Sequence, residues 1–377
     1  MDIVFNLSSI NASWELPDNE SLNDTDQYVP YEKRLETYVV PAVFAVVLLV
    51  GIIGNGTLIF IFVRNKSVRS IPNTYIMSLA VGDFTVIVGT VPFISTIYTF
   101  ESWPYGEFLC KLSEFLKDVS VAVTVLTLTM LSVDRYIAIV LPMRKYTGRH
   151  AKTLTVLFAL GIWCIALALA TPGAYYSFLW EVSISPDKVI YVCYPFPHNM
   201  WPWYPQMMVL MKFLLLYAIP LTFIGSCYVL MARHLYESTR NGLGINGRQI
   251  KQLRTRAKIA KIVLSFVVIF AICFFPSQVF MMWYYFHSTS NEDYNDFWHV
   301  WKIVGYVLTF VNSCLNPIAL YLNSGVFRSH FNRTLFCCCF TDHTEYTRSL
   351  RTAQSTIRTQ SYCSHLTKIQ SVHRIER

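Results

Sequence analysis

Long uninterrupted apolar runs organise this chain. Three of them, residues 38–63, 153–180 and 262–286, contain no charged residue at all. About 20 apolar residues carry a helix across the hydrocarbon core of a bilayer, so each is long enough to span it. Four more runs qualify once a few charges are admitted. They are 73–100 with Asp83, 108–133 with four charges near its start, 206–232 with Lys212, and 297–323 with Lys302. The runs are continuous, whereas a membrane barrel needs ten-residue strands of alternating polarity. The pattern predicts an all-α integral membrane protein, a bundle of seven transmembrane helices over residues 38–324.

The polar stretches orient it. Residues 64–70, 141–152 and 233–261 hold 15 Lys or Arg against one acid, Glu237. The stretches between them, 1–37, 101–107, 181–205 and 288–296, hold 15 acids against Lys33, Arg34 and Lys188. Basic loops stay in the cytoplasm, so the N-terminus is expected outside and the C-terminus inside, with the first span as its own insertion signal. Asn6, Asn11, Asn19 and Asn23 begin four N-glycosylation sequons in the outer segment. Asn55 and Asn65 match the same pattern but fall in the membrane and the cytosol. At the other end, residues 325–340 read as a short amphipathic eighth helix lying on the membrane. That segment includes Cys337, Cys338 and Cys339 as a palmitoylation site directly after Phe336. Residues 341–377 form a Ser/Thr-rich tail, a substrate for receptor kinases and then a docking site for arrestin.

Composition agrees. Charged residues make up 14% of the 377 and hydrophobic ones 54%. A soluble domain carries about 25% charge, which argues against a soluble globule, a disordered chain and a nucleic-acid partner. Ten cysteines are too sparse for a disulfide scaffold.

Charges inside the spans mark function. Asp83 lies mid-span, where a carboxylate reads as hydrated, ion-binding or proton-linked. Lys111, Glu114 and Asp118 follow i, i+3, i+7 spacing and share one face of the third span, with Lys117 beside them. That stripe either lines an outward-facing pocket for a polar ligand or consists of internal ion pairs that fix packing. Lys302 either reaches that pocket or snorkels. Arg135, in Asp134-Arg135-Tyr136, lies 18 residues beyond Lys117 on the third span, about 27 Å along the helix axis. One rigid element touching both compartments suits a signal relay, and equally a transporter or channel, though no internal repeat supports the latter. The His and Ser residues form no nucleophile–base set, so no enzyme is expected.

The motifs then become specific. Gly54-Asn55, Leu79-Ala-Val-Gly-Asp83, Cys110, Asp134-Arg135-Tyr136, Trp163, Pro220, Tyr228, Cys273-Phe-Phe-Pro276 and Asn316-Pro317 stand in order on successive spans. In this the chain resembles the rhodopsin-like class of G-protein-coupled receptors. Trp103-Pro-Tyr-Gly106 and Asn316-Pro-Ile-Ala-Leu-Tyr321 are similar to the bombesin-receptor branch. Lys117-Asp-Val-Ser120, Cys193-Tyr-Pro-Phe-Pro197 and Asp293-Tyr-Asn-Asp-Phe-Trp-His299 are similar to the invertebrate CCHamide neuropeptide receptors.

The resemblance implies a receptor in the plasma membrane for a short secreted amidated peptide, coupled to a heterotrimeric G protein of the Gq class. It implies a Cys110–Cys193 disulfide and an allosteric sodium ion at Asp83, Thr124, Asn312 and Asn316, and no other cofactor or metal. Arg135, flanked by Asp134 and Tyr136 and aided by Tyr228, would contact the G protein. Phe274 stands where the family has a toggle tryptophan, and Pro220, Pro276 and Pro317 would kink their helices. Glu114, Lys117, Asp118, Lys212, Trp283, Tyr284, Trp298 and Lys302 are the candidate ligand contacts, taken for charge or aromatic character near the outer ends. Three further departures stand out. Arg256 replaces the acid that usually restrains the arginine, Leu320 displaces the family tyrosine to Tyr321, and Lys117 argues against a monoamine ligand. No lysine sits in the middle of the seventh span to hold retinal.

Overall fold

A computed structural model describes residues 33–335, apart from 66, 67, 69, 101, 141–148, 186, 187, 198, 199 and 241–246. The four sequons, the three juxtamembrane cysteines and the tail lie outside the described residues. Seven helices are long and apolar enough to cross a membrane: Glu36–Arg64, Ile71–Gly89, Gly106–Val140, Thr153–Tyr176, Tyr204–Glu237, Thr255–Phe286 and Asp296–Asn323. They are the seven expected spans. The first, second and seventh pack through Phe44, Ile87, Ile94 and Phe310. Large apolar side chains such as Leu49, Leu157, Leu160 and Ile272 stay exposed on the outer faces, where acyl chains would cover them.

The differences from the sequence reading have local causes. The third helix runs seven residues past the expected end, to Val140, because nothing after Val133 breaks it. The second stops at Gly89 and resumes as Val91–Ser95 and a 3₁₀ turn at Thr96–Tyr98. Pro92 lacks the N–H that would bond Val88 and its ring crowds that carbonyl. In the fifth span the expected disturbance at Pro220 takes the form of a π-helical turn over Leu214–Ala218, one of the recognised causes of a kinked helix. Asp296–Asn323 runs through Pro317 as one helix.

The all-α expectation needs one correction. Residues 178–180, read as the end of the fourth span, belong to a hairpin of β1 (Phe178–Ser185) and β2 (Lys188–Tyr194). The strands are antiparallel, with Leu179 opposite Cys193 and Trp180 opposite Val192. Ile190 and Val192 are buried while Val189 and Tyr191 are exposed, a period of two that no helix shares. A further helix, Gly325–Leu335, stands where the short amphipathic one was expected.

Candidate functional site

The Cys110–Cys193 disulfide forms and fastens β2 to the start of the third span. Just inside it lie the charged side chains of the predicted stripe. Lys111 is not one of them: it pairs with Glu107 at 2.6 Å on the surface. Lys117 takes its place and lies 2.6 Å from Glu114, one turn away on the same helix. Asp118 reaches across to Lys212 of the fifth span at 2.7 Å. Gly173 makes room for that bond, since a Cβ there would stand 2.9 Å from the Asp118 Oδ2.

The other four candidates form a separate group between the sixth and seventh spans. Trp283 and Trp298 stack with centroids 3.9 Å apart and planes 10° apart, and Phe280 packs against both. Tyr284 donates to Asn291 at 2.8 Å. Lys302 does not snorkel: its Nζ is buried and stands 5.6 Å from the centre of the Tyr294 ring. The adjoining loop is tied by Asp293, whose carboxylate takes hydrogen bonds from Thr289 and His287 at 2.6 and 2.7 Å. Those bonds hold its pKa below the usual carboxylate value.

A cleft opens beside the ionic group. Of the eight candidate contacts only Glu114 lines it. Trp103, Tyr191 and Tyr306 complete the walls and were not foreseen. Trp103 and Tyr191 are joined by a backbone hydrogen bond of 2.8 Å, which only the hairpin makes possible. Tyr306 was legible: it stands four residues, about one turn, beyond Lys302.

Deeper in the bundle Asp83 is fully buried, and its Oδ2 accepts from Asn316 at 2.8 Å. Asp83 Oδ1 and Asn312 Oδ1 are buried with no hydrogen-bond partner among the described residues. Lys117, Ser120, Thr124, Phe274, Asn312 and Ser313 line a small cavity nearby, and Asp83 is not among its lining residues. A carboxylate, an amide oxygen and hydroxyls are the hard oxygen donors a small cation takes, so the donor types suit the expected sodium ion, whereas the Lys117 ammonium in the cavity wall opposes it. Phe274 fills the toggle position and packs on Phe270 at 4.6 Å.

At the far end of the third span Arg135 is buried and paired with Asp134. Tyr136 and Tyr228 pack against Ile139, Met231 and Ala260, and the Tyr228 hydroxyl donates to the Ala260 carbonyl at 2.9 Å. Arg256 cannot hold Arg135, as expected. Instead it donates to the Ala138 carbonyl at 2.6 Å, a direct tie between the sixth and third spans that side-chain charge alone did not suggest. Trp163 donates to Ser78 at 2.9 Å, joining the fourth span to the second.

Residues 54–321 match the family model of the 7 transmembrane receptor (rhodopsin family). The neuropeptide CCHamide-1 receptor of Drosophila melanogaster is 49% identical over 340 residues, 87% of this chain and 68% of that relative. A bombesin receptor of Bombina orientalis is 36% identical over 329 residues, 85% of this chain and 83% of the relative. Bombesin receptor subtype-3 of Ovis aries is 37% identical over 300 residues, 78% and 74% of the two chains. With seven spans and this match, the chain belongs to the rhodopsin family of seven-transmembrane receptors, multi-pass proteins of the plasma membrane that signal through G proteins and are not enzymes.

Proposed function

We propose that this receptor is activated by a short secreted amidated peptide of the CCHamide type. The observation that carries the reading is the 49% identity to the neuropeptide CCHamide-1 receptor of Drosophila melanogaster across 87% of this chain. The geometry supports it. The cleft beside Cys193 is walled by a braced hairpin and by aromatic and charged side chains. In this reading the disulfide end and the glycosylated N-terminus face outside, and the basic loops face the cytoplasm.

The peptide binds among the third, fifth, sixth and seventh spans and the hairpin, and biases an existing equilibrium towards a state open at the Arg135 end. Separation of the sixth span from the third breaks the Arg256–Ala138 bond and exposes Arg135 to the G protein, of the Gq class in this reading. Asp83, Thr124, Asn312 and Asn316 would hold a sodium ion. A bound cation there supplies the charge that balances a buried carboxylate. The Ser/Thr-rich tail serves receptor kinases and arrestin, and Cys337 to Cys339 carry palmitate against membrane lipid.

The test is a dose–response of intracellular calcium in cells expressing the receptor, with CCHamide-type peptides beside bombesin-like peptides. A saturable response to the CCHamide type, with bombesin-like peptides weaker, is expected. The reverse order assigns the ligand to the bombesin type, the second reading favoured by the 36% and 37% relatives.

A further inference from the structure

We propose that Glu114 is the acceptor for a basic group of the peptide, and that Lys117 holds its place until the peptide arrives. The inference rests on the peptide-receptor reading and adds the chemistry of one contact. Among the described residues that line the cleft, Glu114 bears the only ionised side chain; the others are aliphatic, aromatic, hydroxyl or disulfide-bonded. Glu114 is therefore the charged residue a ligand inserted there encounters.

Both carboxylate oxygens bind one ammonium. Lys117 Nζ lies 2.7 Å from Oε1 and 2.6 Å from Oε2. Lys117 does not line the cleft. It lines the deeper cavity with Thr124, Phe274 and Asn312. A carboxylate offers about four acceptor positions, and an incoming ammonium, guanidinium or imidazolium can bind before Lys117 leaves.

Two features make the exchange easy. The Glu114–Lys117 pair lies within one helix, so breaking it unfastens no packing, whereas Asp118–Lys212 joins two spans. The Lys117 ammonium also has a second seat, since its Nζ already stands 5.8 Å from the centre of the Tyr306 ring, within reach of a cation–π contact. Displacement moves a positive charge from a third-span partner to a seventh-span ring, in the wall between cleft and deep cavity. Ligand recognition and a change between the third and seventh spans thus become one event.

The experiment uses the full-length receptor in cells, with surface expression measured for every variant. The probes are the Drosophila CCHamide-1 peptide and analogues of it with each basic group neutralised in turn, by N-acetylation of the terminus or replacement of a basic side chain with glutamine. Glu114→Gln is expected to raise the half-maximal concentration of the parent peptide about tenfold, as the loss of one charged pair does. It leaves unchanged the response to the analogue that lacks the partnering group. Lys117→Met removes the competitor and lowers the half-maximal concentration for the parent. The double exchange Glu114→Lys with Lys117→Glu restores the ion pair yet should not restore potency. Equal loss for every analogue, rescue by the double exchange, or loss of potency in Lys117→Met overturns the proposal and leaves the receptor reading standing. Silence of the well-expressed wild-type receptor to all of these peptides overturns the ligand reading and this inference with it.

Discussion

The two ends of the third span use charge in opposite ways. At the disulfide end two carboxylates meet two ammonium groups, Glu114 with Lys117 and Asp118 with Lys212. At the other end, among the described residues, Arg135 pairs with its neighbour Asp134 and Arg256 with the backbone carbonyl of Ala138. Side-chain pairs can be re-partnered by a charged ligand, and their strength depends on which partners are present. A cation on a carbonyl can only be made or broken. A hydrogen bond to a charged group is worth about 1.5–3 kcal/mol, so the closed inner end rests on a small margin plus the apolar cluster around Ile139, Met231 and Ala260. One end is built to be exchanged and the other to be released.

The frame that connects the two ends should be the easiest part to destroy. Gly305 lets the seventh span approach the sixth at Pro276, where a Cβ would stand 2.8 Å from the Ser277 backbone nitrogen. Gly305→Leu is expected to cost more than about 3 kcal/mol, because backbone cannot move aside as a side chain does. Surface expression and the melting temperature in detergent check it, and both should collapse. Asp118→Asn leaves Lys212 without its partner. Lys212 is about a third exposed, so solvent reduces the loss to about 1–2 kcal/mol. The double variant Asp118→Asn with Lys212→Gln should recover part of it in a double-mutant cycle read by melting.

The release end predicts a gain. Arg256→Ala removes the tie to Ala138 and should shift the equilibrium by about 1 kcal/mol, raising ligand-free signalling about fivefold. Arg256→Lys should fall between. An unchanged basal signal would place the restraint wholly in the apolar cluster and dissolve the contrast between the two ends. The smallest effect belongs to the loop of Asp293. Its carboxyl pKa is lowered by Thr289 and His287, so its tether is complete above the ordinary carboxylate pKa and is lost as pH falls through the lowered value. The difference in melting temperature between wild type and Asp293→Asn should vanish as pH falls below about 4.

The spans were legible because continuous apolar runs and the positions of Lys and Arg are set by the bilayer itself. The hairpin was not, because residues 178–180 run on from the apolar fourth span while 181–205 read as an acidic outer loop, in which the alternation of Ile190 and Val192 with Val189 and Tyr191 is too short to stand out. The ends of the third span were legible as charged residues, but their partners were not. Spacing placed Lys111 on the stripe, while its flexible stem carries the ammonium to Glu107 at the surface. Lys302 gave two readings because snorkelling depends on depth, which the aromatic packing around Tyr294 decides. The Arg256–Ala138 bond could not be read at all, since a backbone carbonyl leaves no mark in the residue types.

The central claim is that the third span carries peptide binding at Glu114 to G-protein contact at Arg135. The measurement that meets it most directly pairs binding of a labelled CCHamide-1 peptide with calcium release, in wild type and in Arg135→Ala at matched surface expression. The account predicts saturable binding in both and calcium release in wild type alone. Calcium release of wild-type size from Arg135→Ala, or loss of binding together with signal, would contradict it.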